Sequence, residues 1–170
     1  MKTTRNLLIC SILAALMLPF AGCGGEPLPP GMPQPVPTEI IVMQGGNPLE
    51  DAVVRLHPIE EHSWTALGRT NASGRATIFT LDRFRGAVPG RYRVIVSKVE
   101  TETLTLTPEE RMAMRQQGPR SSSLPSFNLV AEEFGNANTT PLEIEAVRGT
   151  PTHTVDVGEA VRIQINDGRR

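Results

Sequence analysis

From Glu39 onward the chain alternates apolar and polar residues in short runs separated by turn residues, the period-two pattern of strands that bury one face. Glu39–Met43 reads as a first strand, Gly45-Gly46-Asn47-Pro48 as a turn and Ala52–His57 as a second strand. Ser63–Arg69 and Arg75–Leu81 read as the arms of a hairpin around Asn71-Ala72-Ser73-Gly74, where Gly74 suits a positive φ. Arg91–Val99 is the clearest strand, with Tyr92, Val94 and Val96 on one face and Arg93, Ile95 and Ser97 on the other. Leu142–Val147, Thr152–Val157 and Ala160–Ile165 complete the series. Seven to eight such strands predict an all-β fold, an antiparallel β-sandwich in which two sheets bury one face each. A parallel α/β sheet is excluded, because nothing between the strands reads as crossover helices.

One segment breaks the alternation. Thr107 is placed to cap a helix, Pro108 fits its first position, Glu110 completes a capping box and Gly118-Pro119 stops it, predicting a helix over Pro108–Gln117. Arg120–Ser126 is polar with three consecutive serines, so residues 100–127 read as an insertion of strand, helix and loop. Disorder throughout the insertion is the competing expectation.

The first 22 residues have the layout of an export signal: Lys2 and Arg5 precede an apolar stretch, Leu7–Phe20, shorter than the roughly 20 residues that span a bilayer. The stretch closes on Phe20-Ala21-Gly22-Cys23, which resembles the lipobox of bacterial lipoproteins, with Phe20 where Leu or Val is common. That resemblance implies cleavage before Cys23, a diacylglycerol on its sulfur and a fatty acyl chain such as palmitate on the new amino terminus. Gly24 rather than Asp follows, which in that family points to the outer membrane over the inner. The alternative is an ordinary secretory signal cut near Ala21 or Gly22, leaving Cys23 as a thiol. Residues 24–38 are crowded with Pro and Gly and read as an extended tether, rising about 3.1 Å per residue where polyproline-like. The expected organisation is therefore a signal over 1–22, a lipidated cysteine and tether over 23–38, and a β-sandwich domain over 39–170.

Three segments together resemble a known family. Gly46-Asn47-Pro48-Leu49-Glu50-Asp51-Ala52-Val53-Val54 is similar to the Gly-x-Pro-Leu-x-Gly-Ala-x-Val opening of carboxypeptidase regulatory-like domains, with Asp51 in place of the usual Gly. Thr70-Asn71-Ala72-Ser73-Gly74-Arg75-Ala76 resembles their Thr-Asp-x-x-Gly-x-Phe hairpin, and Val88-Pro89-Gly90-Arg91-Tyr92-Arg93-Val94 their Pro-Gly-x-Tyr-x-Val strand entry. Glu133-Phe134-Gly135-Asn136 and Thr139-Thr140-Pro141-Leu142 resemble the closing segment of short bacterial lipoproteins that carry this domain. The resemblance implies a transthyretin-like (prealbumin-like) sandwich, an accessory or adhesive module without catalysis. One enzyme of that group, which hydrolyses 5-hydroxyisourate, carries a C-terminal Tyr-Arg-Gly-Ser that Asn166-Asp167-Gly168-Arg169-Arg170 does not match. The residues also have local structural roles. Pro48 sets φ before a strand, Asn71 can cap the hairpin with its side-chain oxygen, and Tyr92 can bury its ring while its hydroxyl finds a partner.

Charge and composition narrow the chemistry. There are 17 Lys and Arg against 18 Asp and Glu; loss of Lys2 and Arg5 leaves 15 against 18, a net −3. Nucleic-acid binding, which draws on a basic surplus, is disfavoured, and the lipid rather than a polybasic patch is expected to hold the chain at a membrane. Cys10 leaves with the signal and Cys23 carries lipid, so no thiol remains for a disulfide, a metal or a nucleophile. His57, His62 and His153 are the histidines; His57 and His62 flank Glu60 and Glu61, but a zinc site needs three or four convergent ligands, and solvated loop residues are the commoner case. Glu60/Glu61, Glu109/Glu110 and Glu132/Glu133 are candidate carboxylate pairs, although adjacent side chains diverge. No nucleophile-elbow Gly-x-Ser-x-Gly is present. Trp64, the sole tryptophan, serves either as a core residue, favoured by its polar neighbours Ser63 and Thr65, or as a platform for a sugar ring. No catalytic residue, metal or cofactor is assigned. The expected function is a membrane-anchored, non-enzymatic structural or protein-interaction module of the cell envelope, with an envelope protein or glycan as partner; the alternative is a carbohydrate- or peptide-binding module contacting its ligand through Trp64 or a sheet edge.

Overall fold

In a computed structural model, residues 26–59, 64–102 and 124–165 are described, together with Glu109 and Met112. Its strands are Glu39–Gln44 (β1), Asn47–Pro48 (β2), Val53–Pro58 (β3), Ala66–Arg69 (β4), Arg75–Thr77 (β5), Phe79–Thr80 (β6), Phe84–Arg85 (β7), Gly90–Ser97 (β8), Val99–Thr101 (β9), Ser126–Asn128 (β10), Glu143–Ala146 (β11), Thr152–Asp156 (β12) and Ile163–Ile165 (β13). A 3-10 helix occupies Glu132–Gly135.

The alternation in β8 sets the architecture. Tyr92, Val94 and Val96 are fully buried, and their neighbours across β3 and β11 are buried too: Val54 faces Val96, Leu56 faces Val94 and Ile144 faces Tyr92. β8 thus lies inside a six-stranded antiparallel sheet of order β11-β8-β3-β4-β6-β7. Ile40 and Val42 of β1 supply the facing apolar side from a second sheet, in which β1 pairs with β12 along one edge and with β5 and then β2 along the other. One hydrophobic cluster takes residues from both sheets, so the two share a core and the fold is all-β and sandwich-like. Each large side chain buried there contributes about 1.5–3 kcal/mol.

Four features depart from the sequence expectation. First, β1 and β12 run parallel, from Glu39 opposite Thr152 to Met43 opposite Asp156, within otherwise antiparallel sheets. Alternation fixes which face of a strand is buried but not its direction. Backbone bonds from Glu39 to the Pro151 carbonyl and from Gly45 to the Gly158 carbonyl clamp the two ends. Second, the stretch 75–81 does not pair with β4 along its length. β5 pairs with β1, the chain bends at buried Ile78, and β6 pairs with β4, so one predicted strand serves both sheets. Third, β9, β10 and β13 form a separate three-stranded antiparallel sheet, and the short 3-10 helix follows β10; neither was predicted. Fourth, among the described residues thirteen short strands stand where seven to eight were expected, because breaks such as those at Ile78 and Lys98 divide the longer runs.

The compact unit that carries the strands begins at Met32, so Val36 and Thr38, at the end of the Pro-rich stretch, belong to it: both are buried, and Val36 bridges to Ala87. Of the preceding unit, only residues 26–31 are described. The predicted signal and Cys23 lie outside the described residues. So does the predicted helix Pro108–Gln117, apart from Glu109 and Met112, whose backbone is helical.

Candidate functional site: a polar cleft at the end of strand β8

β8 ends at Ser97, and the chain turns at Lys98 into β9. The Lys98 carbonyl accepts the N–H of Leu129 (2.9 Å), and the Leu129 carbonyl accepts from Gln44 Nε2 (2.8 Å), which fixes the segment after β10 against the ends of β1 and β8. Val130 is buried there, and Phe134 anchors the 3-10 helix in the core. The turn that follows is cross-bonded: Asn136 Oδ1 accepts from the N–H of Asn138 (2.8 Å), Thr139 Oγ1 donates to the Glu133 carbonyl (2.7 Å), and Arg93 Nη1 donates to the Ala137 carbonyl (2.7 Å). Thr140 Oγ1 donates to the Val94 carbonyl (2.8 Å), tying the turn back to β8.

Between these segments opens a cleft of about 530 Å³. Val96, Val130 and Ala131 give it an apolar part, and Ser97, Lys98, Asn128, Glu132, Glu133 and Asn136 a polar one. Such a volume lies within the range of small-ligand sites, about 300–1,000 Å³. The side chains of Ser97, Lys98, Asn128, Glu132 and Glu133 make no hydrogen bond or ion pair with any described residue. Their donors and acceptors are open to a ligand. A second concavity of about 400 Å³, lined by Glu50, Asp51, Arg69 and Glu100 among others, shares Ser97 and Lys98 with the first. A third, about 440 Å³, lies beside β4 and β5, where Leu67 and Phe79 are flanked by Arg69 and Arg75.

The residues singled out in the sequence are scattered. Trp64 is half-buried in the segment before β4 and is not part of the core cluster. His57 is exposed on β3 of the six-stranded sheet, while His153 lies on β12 of the other sheet with its Nε2 buried and without a hydrogen-bond partner. His62, Glu60, Glu61 and Glu110 lie outside the described residues. Among the described residues, no group of three or more His, Cys, Asp and Glu is placed to hold a metal ion, and no helix is long and apolar enough to cross a membrane. Glu132 and Glu133 do line one cleft, together with Lys98, Asn128 and Asn136, which sequence reasoning missed. One signal pointed to Lys98: it is the only lysine after Lys2, in a chain whose other cations are arginines and histidines. No family model, no curated protein and no solved structure matches the chain.

Proposed function

We propose that the protein is a lipid-anchored, non-enzymatic β-sandwich of transthyretin-like type that acts at the cell envelope as a structural or protein-interaction module. The observation that carries this reading is the backbone at Asp51. Its φ is 60°, a left-handed conformation that glycine adopts freely, at the position of the opening motif where Asp51 replaces the second glycine of the resembled family, the first being kept as Gly46. The other two motifs have matching local reasons. Asn71 Oδ1 accepts from the N–H of Ser73 (3.0 Å) and of Arg75 (3.1 Å) and from Ser73 Oγ (2.8 Å), closing the hairpin with Gly74 at φ 69°. Tyr92 has its ring in the core and its hydroxyl donating to the Val88 carbonyl at 2.6 Å. Motifs that act on turns and packing in this way specify a scaffold rather than a reaction.

The anchor rests on the apolar stretch ending at Phe20-Ala21-Gly22-Cys23. Metabolic labelling with a clickable fatty acid tests it. Label on the wild-type chain that is lost in Cys23→Ala is the expected result; an unlabelled wild type, or equal label on Cys23→Ala, overturns the anchoring. A glycan-binding reading has one observation in its favour, the half-buried position of Trp64 outside the core cluster.

A further inference from the structure

We infer that the cleft at the end of β8 binds a zwitterionic group, an amino acid or a short peptide with free termini, its carboxylate toward Lys98 and its ammonium toward Glu132 and Glu133. This goes beyond the envelope reading and does not depend on lipid anchoring.

The charges on the lining select the ligand class. One ammonium and two carboxylates line the same cleft, yet none of them is neutralised by another described residue. A simple anion would meet two carboxylates for one Lys98, and a simple cation would meet Lys98. A ligand with both charges complements all three groups, since opposite charges at contact attract and like charges repel within the same cleft. Lys98 is half-buried and also lines the neighbouring cleft with Glu50, Asp51, Glu100 and Arg69; Asp51 pairs with Arg69 and Glu100 with Arg162, and none of these acids pairs with Lys98. A lysine ammonium, with three rotatable donors on a flexible stem, adapts to a carboxylate of unfixed orientation.

The uncharged lining fits the same class. Asn128 and Ser97 offer unused amide and hydroxyl groups suited to a peptide unit, and half-buried Ala131 offers a small apolar surface suited to a methyl side chain, whereas Val96 and Val130 are buried in the core. A sugar lacks its usual platform here, because no aromatic residue lines the cleft. The wall is built before the ligand arrives: Thr139, Arg93 and Thr140 bond the turn to the helix and to β8, which lowers the ordering cost of binding.

The test is a titration of the ¹⁵N-labelled full chain in detergent with alanyl-alanine, followed by amide shifts and calorimetry. Saturable shifts centred on residues 97–98 and 128–133 are expected, with Kd on the order of 1 mM. N-acetylation and C-amidation of the dipeptide should each weaken binding about tenfold, equivalent to ~1.4 kcal/mol. In Lys98→Met the amide and the free acid should bind alike while the N-acetyl form stays weaker; in the double variant Glu132→Gln/Glu133→Gln the pattern should reverse. Absence of saturable shifts, equal binding of the capped forms to the wild type, or equivalent shifts from a neutral disaccharide overturns the inference. If a variant fails to fold, the capped dipeptides on the wild-type chain decide alone. Neither result bears on fatty-acid labelling at Cys23.

Discussion

Asp51 is held in a left-handed conformation by its surroundings rather than by its own preference. Its N–H donates to the Thr70 carbonyl (3.0 Å), and the next residue, Ala52, is tied to Thr70 three times, through the Ala52 N–H to Thr70 Oγ1 (2.8 Å), the Thr70 N–H to the Ala52 carbonyl (2.9 Å) and Thr70 Oγ1 to the same carbonyl (3.4 Å). Thr70 is buried, so this clamp is rigid and Asp51 must adapt to it. A left-handed φ costs an L-residue roughly 1–2 kcal/mol, less for Asp than for branched residues. The compensation from the Asp51–Arg69 ion pair (3.1 Å) is small, because both side chains are about two-thirds exposed and solvent screens them. Asp51→Gly is therefore expected to leave stability unchanged or raise it by up to about 1 kcal/mol, and Asp51→Val to lower it by about 1–2 kcal/mol. Chemical denaturation of the three chains checks this; a Gly variant clearly less stable than wild type would show that the carboxylate, and not the backbone, governs the position.

The crossing of one strand from sheet to sheet depends on how closely β4 and β5 approach. At Gly68 a Cβ would lie 2.5 Å from the Thr77 carbonyl oxygen and 3.1 Å from Ile78 Cδ1, so only glycine allows the two backbones to meet where β5 leaves for β1 and β6 returns to β4. Gly68→Ala must move backbone, not merely a side chain, and is expected to cost about 1–3 kcal/mol. Gly135→Ala, where nothing lies within 4 Å of the added atom, is expected to stay within about 0.5 kcal/mol of wild type. Equal denaturation midpoints for the two variants would mean that the crossing tolerates separation. The same crossing marks the limit of what alternation reveals. Tyr92, Val94 and Val96 were legible as one buried face because period two reports burial directly, and Asn71 was legible because its bonds reach only two and four residues ahead. The parallel pairing of β12 with β1 was not, since residues more than a hundred positions apart carry no local mark of direction. Nor was the cleft, whose lining comes from 96–98, 128, 130–133, 135, 136 and 139 and is assembled only by tertiary pairing.

The molecule is unevenly stabilised, and its topology shows where. The six-stranded and four-stranded sheets contribute to one hydrophobic cluster, whereas no residue of β9, β10 or β13 is buried. Alternation puts Val99, Ile163 and Ile165 on one face of that third sheet, and all three are exposed. The other face is held by Arg162, whose guanidinium lies 4.1 Å from the Phe127 ring centroid and pairs with Glu102 (3.1 Å) and, at 3.9 Å, with Glu100. Exposed ion pairs and one cation–π contact contribute of order 1 kcal/mol each at most, far less than a shared core. A three-stranded sheet without a buried face is marginal by itself, so the third sheet should open without unfolding the other two. In native-state hydrogen exchange, the hydrogen-bonded amides of β10 and β13 are expected to exchange at least about a hundredfold faster than those of β3 and β8, a gap of ~2.7 kcal/mol in opening free energy. Arg162→Ala should accelerate exchange in the third sheet further and leave β3 and β8 unchanged, because the side chain's ion pairs and ring contact among the described residues are with Glu100 of β9, Glu102 just after it and Phe127 of β10. Uniform protection across all three sheets, or an Arg162→Ala effect that spreads into β8, would show that the molecule opens as one cooperative unit. The wall of the cleft that includes Asn128 would then be as rigid as the core behind it.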